Sequence, residues 1–322
     1  MLQIGSKNQE RGNRVAHEFF KKYSFKSVNG ALRGLIELDD KQLEELHEVL
    51  LPMMVDILDY CKKHNLTCFL SGGTALGAIR HQGFIPWDDD VDLNMTRDSF
   101  DIFVDGFRSE FSEKYWVHTP KDNPEFGLSI GRVRKKGTVV ETREDLVDDK
   151  EAGAYIDLFI IENVFDNRIL RSIQGCICIF TKVCLSCRRF YRDRAIMKKT
   201  MDYDDNLQKV SRNRLIIGFL SSFLSVKQWN KINEKAFQMC KSNNSKYVSI
   251  PAGKWHFFGE MYKRKDFCEL KTMNFAGISM PVCVDMDGYM KILYGDNYME
   301  LPPLEKREKH MCWAFNLGGT KR

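Results

Sequence analysis

The chain has 322 residues, of which 43% are hydrophobic, 12% aromatic and 29% charged, enough apolar material for one large domain or two modest ones and too much for a disordered or fibrous polypeptide. A net charge of +5 is too small to mark the whole chain as a nucleic-acid binder, and it is uneven: residues 168–214 carry twelve Lys or Arg against four Asp, so an anionic partner is expected for that segment alone. The ten cysteines are scattered and residues 1–22 are polar and charged, unlike a signal peptide, so reduced thiols and a cytoplasmic location are expected.

Residues 1–38, with little periodicity around Phe19, Phe20 and Phe25, read as a peripheral arm. Asp39 and Asp40 suit a helix cap, and Leu43, Leu46, Val49, Leu50, Met53, Ile57, Tyr60 and Cys61 then follow helical spacing as far as about His64. Pro52 is expected to kink or split that helix. Residues 66–70 form an apolar strand leading into Ser71-Gly72-Gly73-Thr74, where two glycines allow close backbone approach to a ligand, and a helix over about 75–80 presents unpaired N–H groups suited to phosphate oxygens.

After a Pro86 loop comes Asp88-Asp89-Asp90-Val91-Asp92-Leu93, read as a second strand. There Asp90 and Asp92 share one face, roughly 7 Å apart, while Val91 and Leu93 face the core. Asp88 has the same parity but falls in the loop. Four carboxylates in five residues repel one another unless they are solvated or neutralised by a cation. A solvated acidic turn and a site for one hard cation both satisfy that condition. A helix-loop-helix calcium loop does not fit, because its sixth position would be Leu93 and its twelfth Ser99.

Next come a helix from Thr96 or Asp98 that buries Phe100, Phe103, Phe107 and Phe111, a strand over 116–118, and a hairpin of 128–134 with 138–141 turning at Lys135-Lys136-Gly137. Arg132 and Arg134 share a strand face, which is either a phosphate contact or a solvated basic face. Residues 151–161 are an apolar strand with Asp157 in its middle, and a buried carboxylate there requires a metal or a positive partner. From 167 to about 244 the character is helical. The apolar runs 173–185 and 215–226 are short of the roughly 20 residues of a membrane span. With Arg188, Arg189, Arg192 and Arg194, the first run reads either as a membrane-surface helix or as a buried helix of a cap. Cys176, Cys178, Cys184 and Cys187 lie in this run without the turn residues of a zinc knuckle, so packed thiols are expected. Residues 247–260, with Gly253, Lys254, Trp255, His256 and Gly259, read as a loop able to reach an active-site mouth, although a Lys or His there is equally a structural group. Residues 275–284 read as two short strands and 287–293 as a helix.

The run Gly72-Gly73-Thr74-Ala75-Leu76-Gly77-Ala78-Ile79-Arg80-His81, followed by Gly83-Phe84-Ile85-Pro86-Trp87-Asp88-Asp89-Asp90-Val91-Asp92, resembles the signature of the LicD family of bacterial phosphocholine transferases, whose superfamily includes fukutin-like phosphoribitol transferases. Gly153-Ala154-Tyr155-Ile156-Asp157-Leu158-Phe159 resembles a second family pattern, the Arg132, Arg134 and Thr138 spacing a third. The terminal stretch with Tyr294-Gly295-Asp296-Asn297-Tyr298, Pro302-Pro303, Lys306, Arg307 and His310 is similar to the family's last. The resemblance runs from about 66 to 310 and is weakest in the helical middle.

The resemblance implies an α+β fold with a nucleotidyltransferase-like mixed sheet flanked by helices and a helical insertion. Its expected parts are the arm 1–38, a catalytic core 39–166, a basic helical insertion or cap 167–245, and residues 246–322 completing the catalytic domain. It also implies transfer of a phospho-alcohol, phosphocholine first among them, from a CDP-linked donor to a hydroxyl of a cell-surface glycan or its lipid-linked precursor, as in lipopolysaccharide or teichoic acid synthesis, with release of CMP. Asp90, Asp92 and Asp157 would be the catalytic residues and the ligands of Mg²⁺ or Mn²⁺. Gly72, Gly73, Thr74, Arg80, Arg132 and Arg134 would bind the donor. A peripheral contact of 168–214 with the cytoplasmic face of a membrane would suit a lipid-linked acceptor, and no nucleic-acid partner is expected. The residues alone support metal-assisted phosphoryl or nucleotidyl transfer. The rivals are an enzyme that moves NMP from an NTP to a small molecule or protein, and a non-catalytic nucleotide-binding module.

Overall fold

The computed structural model describes residues 36–142, 145, 147–195, 205–304, 307 and 311–318; the arm read over 1–35, and Lys306 and His310, lie outside them. The described chain forms two compact units, one from Leu35–Ile161 with Lys263–Arg322 and the other containing Glu162–Tyr262.

The first unit opens with β1 (Ile36–Glu37) and α1 (Asp40–Lys63). Asp39 caps the helix as its sequence promises: its carboxylate accepts the Gln42 N–H at 2.8 Å, and the Gln42 side chain accepts the Asp39 N–H at 3.0 Å. Pro52 does not split the helix: α1 runs unbroken through it. An interior proline costs about 3 kcal/mol. Leu46, Leu50, Met53, Met54 and Ile57 are buried along the same helix, each at about 1.5–3 kcal/mol, so packing outweighs the lost hydrogen bond.

Strand β2 (Cys68–Leu70) leads into α2 (Gly72–Arg80), and β3 (Asp92–Thr96) leads into α3 (Arg97–Glu110), whose Phe100, Phe103 and Phe107 are buried. Then come β4 (Tyr115–His118), β5 (Gly131–Lys135), β6 (Val139–Glu141) and β7 (Tyr155–Val164). The sheet runs β2-β3-β7-β5-β4, antiparallel except for the central β3–β7 pair. It is a mixed sheet with helices against it, the α+β class expected from sequence. The parallel pair places Asp92 opposite Asp157. The expected β5–β6 hairpin is absent: β5 pairs with β4 and β7, and β6 with residues 314–316. Backbone from 152–154 takes the place of the hairpin partner, with Lys135 N–H donating to the Ala154 carbonyl and Val140 N–H to the Ala152 carbonyl, both at 2.7 Å.

In the second unit, residues 162–164 of β7 pair with β8 (Tyr247–Ser249). Between them lie α4 (Arg168–Arg192), α5 (Asp205–Leu220) and α6 (Val226–Phe237). Helix α4 is 25 residues long and unbroken, much longer than its apolar run, and by length and composition alone it could cross a membrane. Its inner face is nevertheless built for a protein interior. Gln174 donates to the Asn163 carbonyl at 2.9 Å, Thr181 bonds Asn233 at 3.0 Å, and Cys178, Cys184 and Cys187 are buried thiols. Val164, Cys178, Ala236, Phe237 and Phe257 form one apolar core, and Cys184, Leu185, Val226 and Trp229 another. A short α7 (His256–Gly259) follows β8, and β9 (Met261–Lys263) pairs with it.

The chain returns to the first unit through α8 (Arg264–Phe267) and a hairpin of β10 (Leu270–Phe275) with β11 (Ile278–Cys283). Ala276 and Gly277 turn it with φ of 51° and 81°, the left-handed pair that a two-residue hairpin requires. Helix α9 (Met286–Tyr294) is capped by the Asp285 carboxylate on the Gly288 N–H. Finally β12 (Met311–Cys312) pairs with β1, and β13 (Ala314–Asn316) with β6.

Candidate active site

Helix α2 begins at Gly72 itself, so both glycines lie in its first turn rather than in a loop ahead of it. The reason is the acidic segment that faces them. A Cβ on Gly72 would lie 2.9 Å from Asp92 Oδ2, and one on Gly73 2.7 Å from Asp88 Oδ2; Gly72 also sits at φ +49°. Any larger residue would push a carboxylate away. The turn and β3 are stitched together by backbone: Ser71 N–H donates to the Asp92 carbonyl and Asp92 N–H to Thr74 Oγ1, each at 2.9 Å. Thr74 therefore fixes Asp92 through its hydroxyl.

Below the turn, three groups meet the hydroxyl of Tyr289 from α9: Gly72 N–H at 3.0 Å, Ser71 Oγ at 3.1 Å and Asn94 Nδ2 at 3.2 Å. A phenol oxygen accepts two such bonds, and Gly72 and Asn94 are the donors, so the phenolic proton goes to Ser71. This buried network ties the first turn of α2 to the sheet and to the C-terminal part of the unit.

Strand β3 starts only at Asp92, so Asp88, Asp89 and Asp90 lie in the loop before it, not alternating along a strand. Half-buried, they gather instead: one carboxylate oxygen from each lies within 4.8 Å of the others. His47 supports the loop from α1, its ring Nε2–H donating to the Asp88 carbonyl at 2.7 Å while the ring stacks on Phe84 at 4.1 Å. Burial lowers the His47 pKa, against the opposing pull of that carbonyl, and the bond fixes the neutral tautomer.

Asp157, next to Asp92 across the parallel pair, is buried and its two oxygens are gripped by Arg132, from Nε at 2.6 Å and Nη2 at 2.9 Å. The Arg132 guanidinium lies 3.9 Å over the ring of Tyr155. The positive partner that a mid-strand carboxylate demands is thus on the neighbouring strand. Arg134 is fully buried and donates to Asp145 at 2.7 Å, while the second Asp145 oxygen accepts from the N–H and hydroxyl of Thr142. Burial lowers the Arg134 pKa, with Arg132 adding to the effect. Arg80, at the end of α2, donates to the carbonyls of Tyr298 and Glu300 at 3.1 and 3.2 Å, and burial lowers its pKa too. Its neighbour Trp87 is covered by the Arg307 guanidinium at 3.9 Å.

The structure therefore brings Gly72, Gly73, Thr74, Asp88, Asp89, Asp90, Asp92, Asp157 and Arg132 together around the start of the central β3–β7 pair, and places Arg80 and Arg134 in supporting contacts. Sequence reasoning passed over Tyr289 and His47. Each lies on the buried stripe of its helix, where a polar tip looks like ordinary core; the only signal was a hydrogen-bonding group at a core position.

Carboxylates gathered beside a helix start, with an arginine-paired aspartate next to them, are groups that phosphoryl transfer can use, here on a mixed sheet. Residues 65–163 match the family model described as LicD/FKTN/FKRP, nucleotidyltransferase domain. Over 268 residues, 80% of this chain and 92% of the relative, the sequence is 30% identical to the lipopolysaccharide cholinephosphotransferase LicD of Haemophilus influenzae. Shorter stretches of 43 residues, 13% of this chain, are 44% identical to uncharacterised proteins of Rickettsia prowazekii and Rickettsia typhi, covering 16% and 14% of their lengths. The chain belongs to the LicD family and is a LicD-like phosphotransferase.

Proposed function

We propose that the enzyme moves phosphocholine from a CDP-linked donor to a hydroxyl of a lipopolysaccharide-type glycan or its lipid-linked precursor. The observation that carries the proposal is the close approach of the first turn of α2 to the carboxylates of Asp88 and Asp92, which a Cβ at Gly73 or Gly72 would displace, in a chain similar over most of its length to a cholinephosphotransferase. Oxygen ligands in this number suit Mg²⁺ or Mn²⁺. Asp90 and Asp92 would hold the ion, with Asp88 and Asp89 within reach and Asp157 alongside. A bound ion would neutralise charge on the donor's diphosphate.

The protein's own groups supply the rest. With the Gly72 N–H given to Tyr289, the N–H groups of Gly73 and Thr74 in the same turn would meet the diphosphate oxygens. Arg132, anchored by Asp157 and Tyr155, places a fixed positive charge beside them. The acceptor oxygen attacks the phosphorus that carries choline, the bond to the CMP phosphate breaks, CMP leaves, and the hydroxyl proton passes to a carboxylate, for which Asp157, oriented by Arg132, is the candidate.

The test is a melting-temperature screen of CDP-choline, CDP-ribitol, CDP-glycerol and NTPs with Mg²⁺, followed by product analysis. A large shift with CDP-choline and release of CMP are expected. Pyrophosphate release from an NTP would instead establish nucleotidyl transfer. Unchanged turnover in Asp90→Ala and Asp157→Ala would remove the site assignment.

A further inference from the structure

We propose that the outer face of α4, the end of α5 and the turn after it form a docking surface for an anionic lipid membrane. On α4, Ile169, Ile173, Ile177 and Phe180 are spaced to lie on one helical face, and all are exposed, Phe180 at 63%. Phe219, Leu220 and Phe223 continue the apolar surface with exposures of 61%, 66% and 74%. The two sets join: the rings of Phe180 and Phe223 both meet the buried Trp229, at 6.3 and 5.7 Å, and the Trp229 indole N–H donates to the Ser221 carbonyl. Aromatic and branched residues in this number, contiguous and turned to solvent, mark an interaction surface.

The charge around it selects the partner. Residues 162–262 hold eighteen Lys or Arg against eight Asp or Glu, whereas the rest of the chain holds thirty-one against thirty-six. Folding sharpens the contrast, because Glu162, Asp193, Glu234 and Glu260 are all buried. Basic groups lie directly beside the apolar surface. The Arg194 and Arg188 guanidiniums sit 4.2 and 5.7 Å over the ring of Tyr191, the same ring that meets Phe219 at 6.0 Å, and Arg188 donates to the Leu224 carbonyl. Cations flanking exposed aromatics match lipid phosphates flanking the acyl boundary. Two copies of this surface would oppose positive with positive, which disfavours self-association. The polar, bonded inner face of α4 places the helix on the membrane rather than through it.

The experiment is flotation of the full chain with phosphatidylcholine vesicles, with and without phosphatidylglycerol, at low and high salt. Flotation with the anionic vesicles only, lost at high salt, is expected. The pair of changes Phe180→Ser and Phe223→Ser should lower the bound fraction at least tenfold while the melting temperature and the turnover of a water-soluble acceptor stay unchanged. No flotation with anionic vesicles at low salt, or equal flotation of wild type and the double variant, would overturn the proposal. So would a dimer by light scattering that the double variant dissolves. Failure here leaves the donor specificity intact, since that is read without lipid.

Discussion

The Tyr289 hydroxyl draws Ser71, Gly72 and Asn94 to one point. In Tyr289→Phe the Gly72 N–H and the Asn94 amide lose their acceptor in a dry place, at a cost of about 1–3 kcal/mol. A lower denaturant midpoint and reduced turnover are expected together; unchanged values of both would show that the network is incidental. Gly73→Ala acts differently. Its Cβ would fall 2.7 Å from Asp88 Oδ2, so the carboxylate must swing away while the helix keeps a better helix-former. Melting in EDTA should change little, whereas stabilisation by Mg²⁺ and turnover should fall by an order of magnitude or more. Equal Mg²⁺ stabilisation in variant and wild type would remove Asp88 from the cation-binding group.

At the scale of elements, the capping box of α1 offers a clean measurement, since Asp39 and Gln42 are solvent-facing and bond only across the helix start. Asp39→Ala should cost about 1 kcal/mol in a denaturant titration without altering turnover. The same comparison shows which elements were legible in the sequence. The α1 cap and Phe100, Phe103 and Phe107 of α3 are local signals, set within a few residues, and they stand where the spacing put them; the Gly-Gly pair was legible too, but it lies inside the first turn of α2 rather than ahead of it. Pro52 does not split α1 because the propensity penalty is local, whereas the burial that outweighs it comes from the whole stripe. The supposed β5–β6 hairpin misled because its turn signal was real but the pairing was decided by backbone from 152–154 and 314–316, far along the chain. The acidic run was legible as a cluster but not in its geometry: β3 starts two residues later than expected, at Asp92, which leaves Asp90 in the loop with Asp88 and Asp89. Tyr289 was not legible at all, because its partners lie about two hundred residues away.

For the whole molecule, stability against pH is set in part by a group of ionisable side chains in the second unit. Lys182 of α4 donates to the carbonyls of Pro251, Ala252 and Gly253, at 2.9, 2.8 and 3.3 Å, and Glu260 accepts the Trp255 N–H at 2.8 Å. Burial pushes the Glu260 carboxyl up to about 7, only partly offset by the Trp255 N–H and Lys182. Burial likewise brings Lys182 down to about 7, and burial with Lys182 holds His256 down to about 2. The signs differ. Between its ordinary value of 4.5 and about 7, Glu260 binds a proton in the folded state that the unfolded state has released, so its contribution falls as pH rises through that window. His256 does the reverse below its ordinary 6.5, and Lys182 adds stability only as pH climbs from about 7 towards 10.5. A difference measurement separates them: the unfolding free energy of Glu260→Gln minus that of wild type should rise from about pH 4.5 to 7, by at most about 1.4 kcal/mol per pH unit, and then level off. A flat difference across that window would mean that Glu260 is ionised in the folded protein at mildly acidic pH, and the loop over 250–260 would then be held by a charged Lys182–Glu260 pair rather than by a neutral carboxyl.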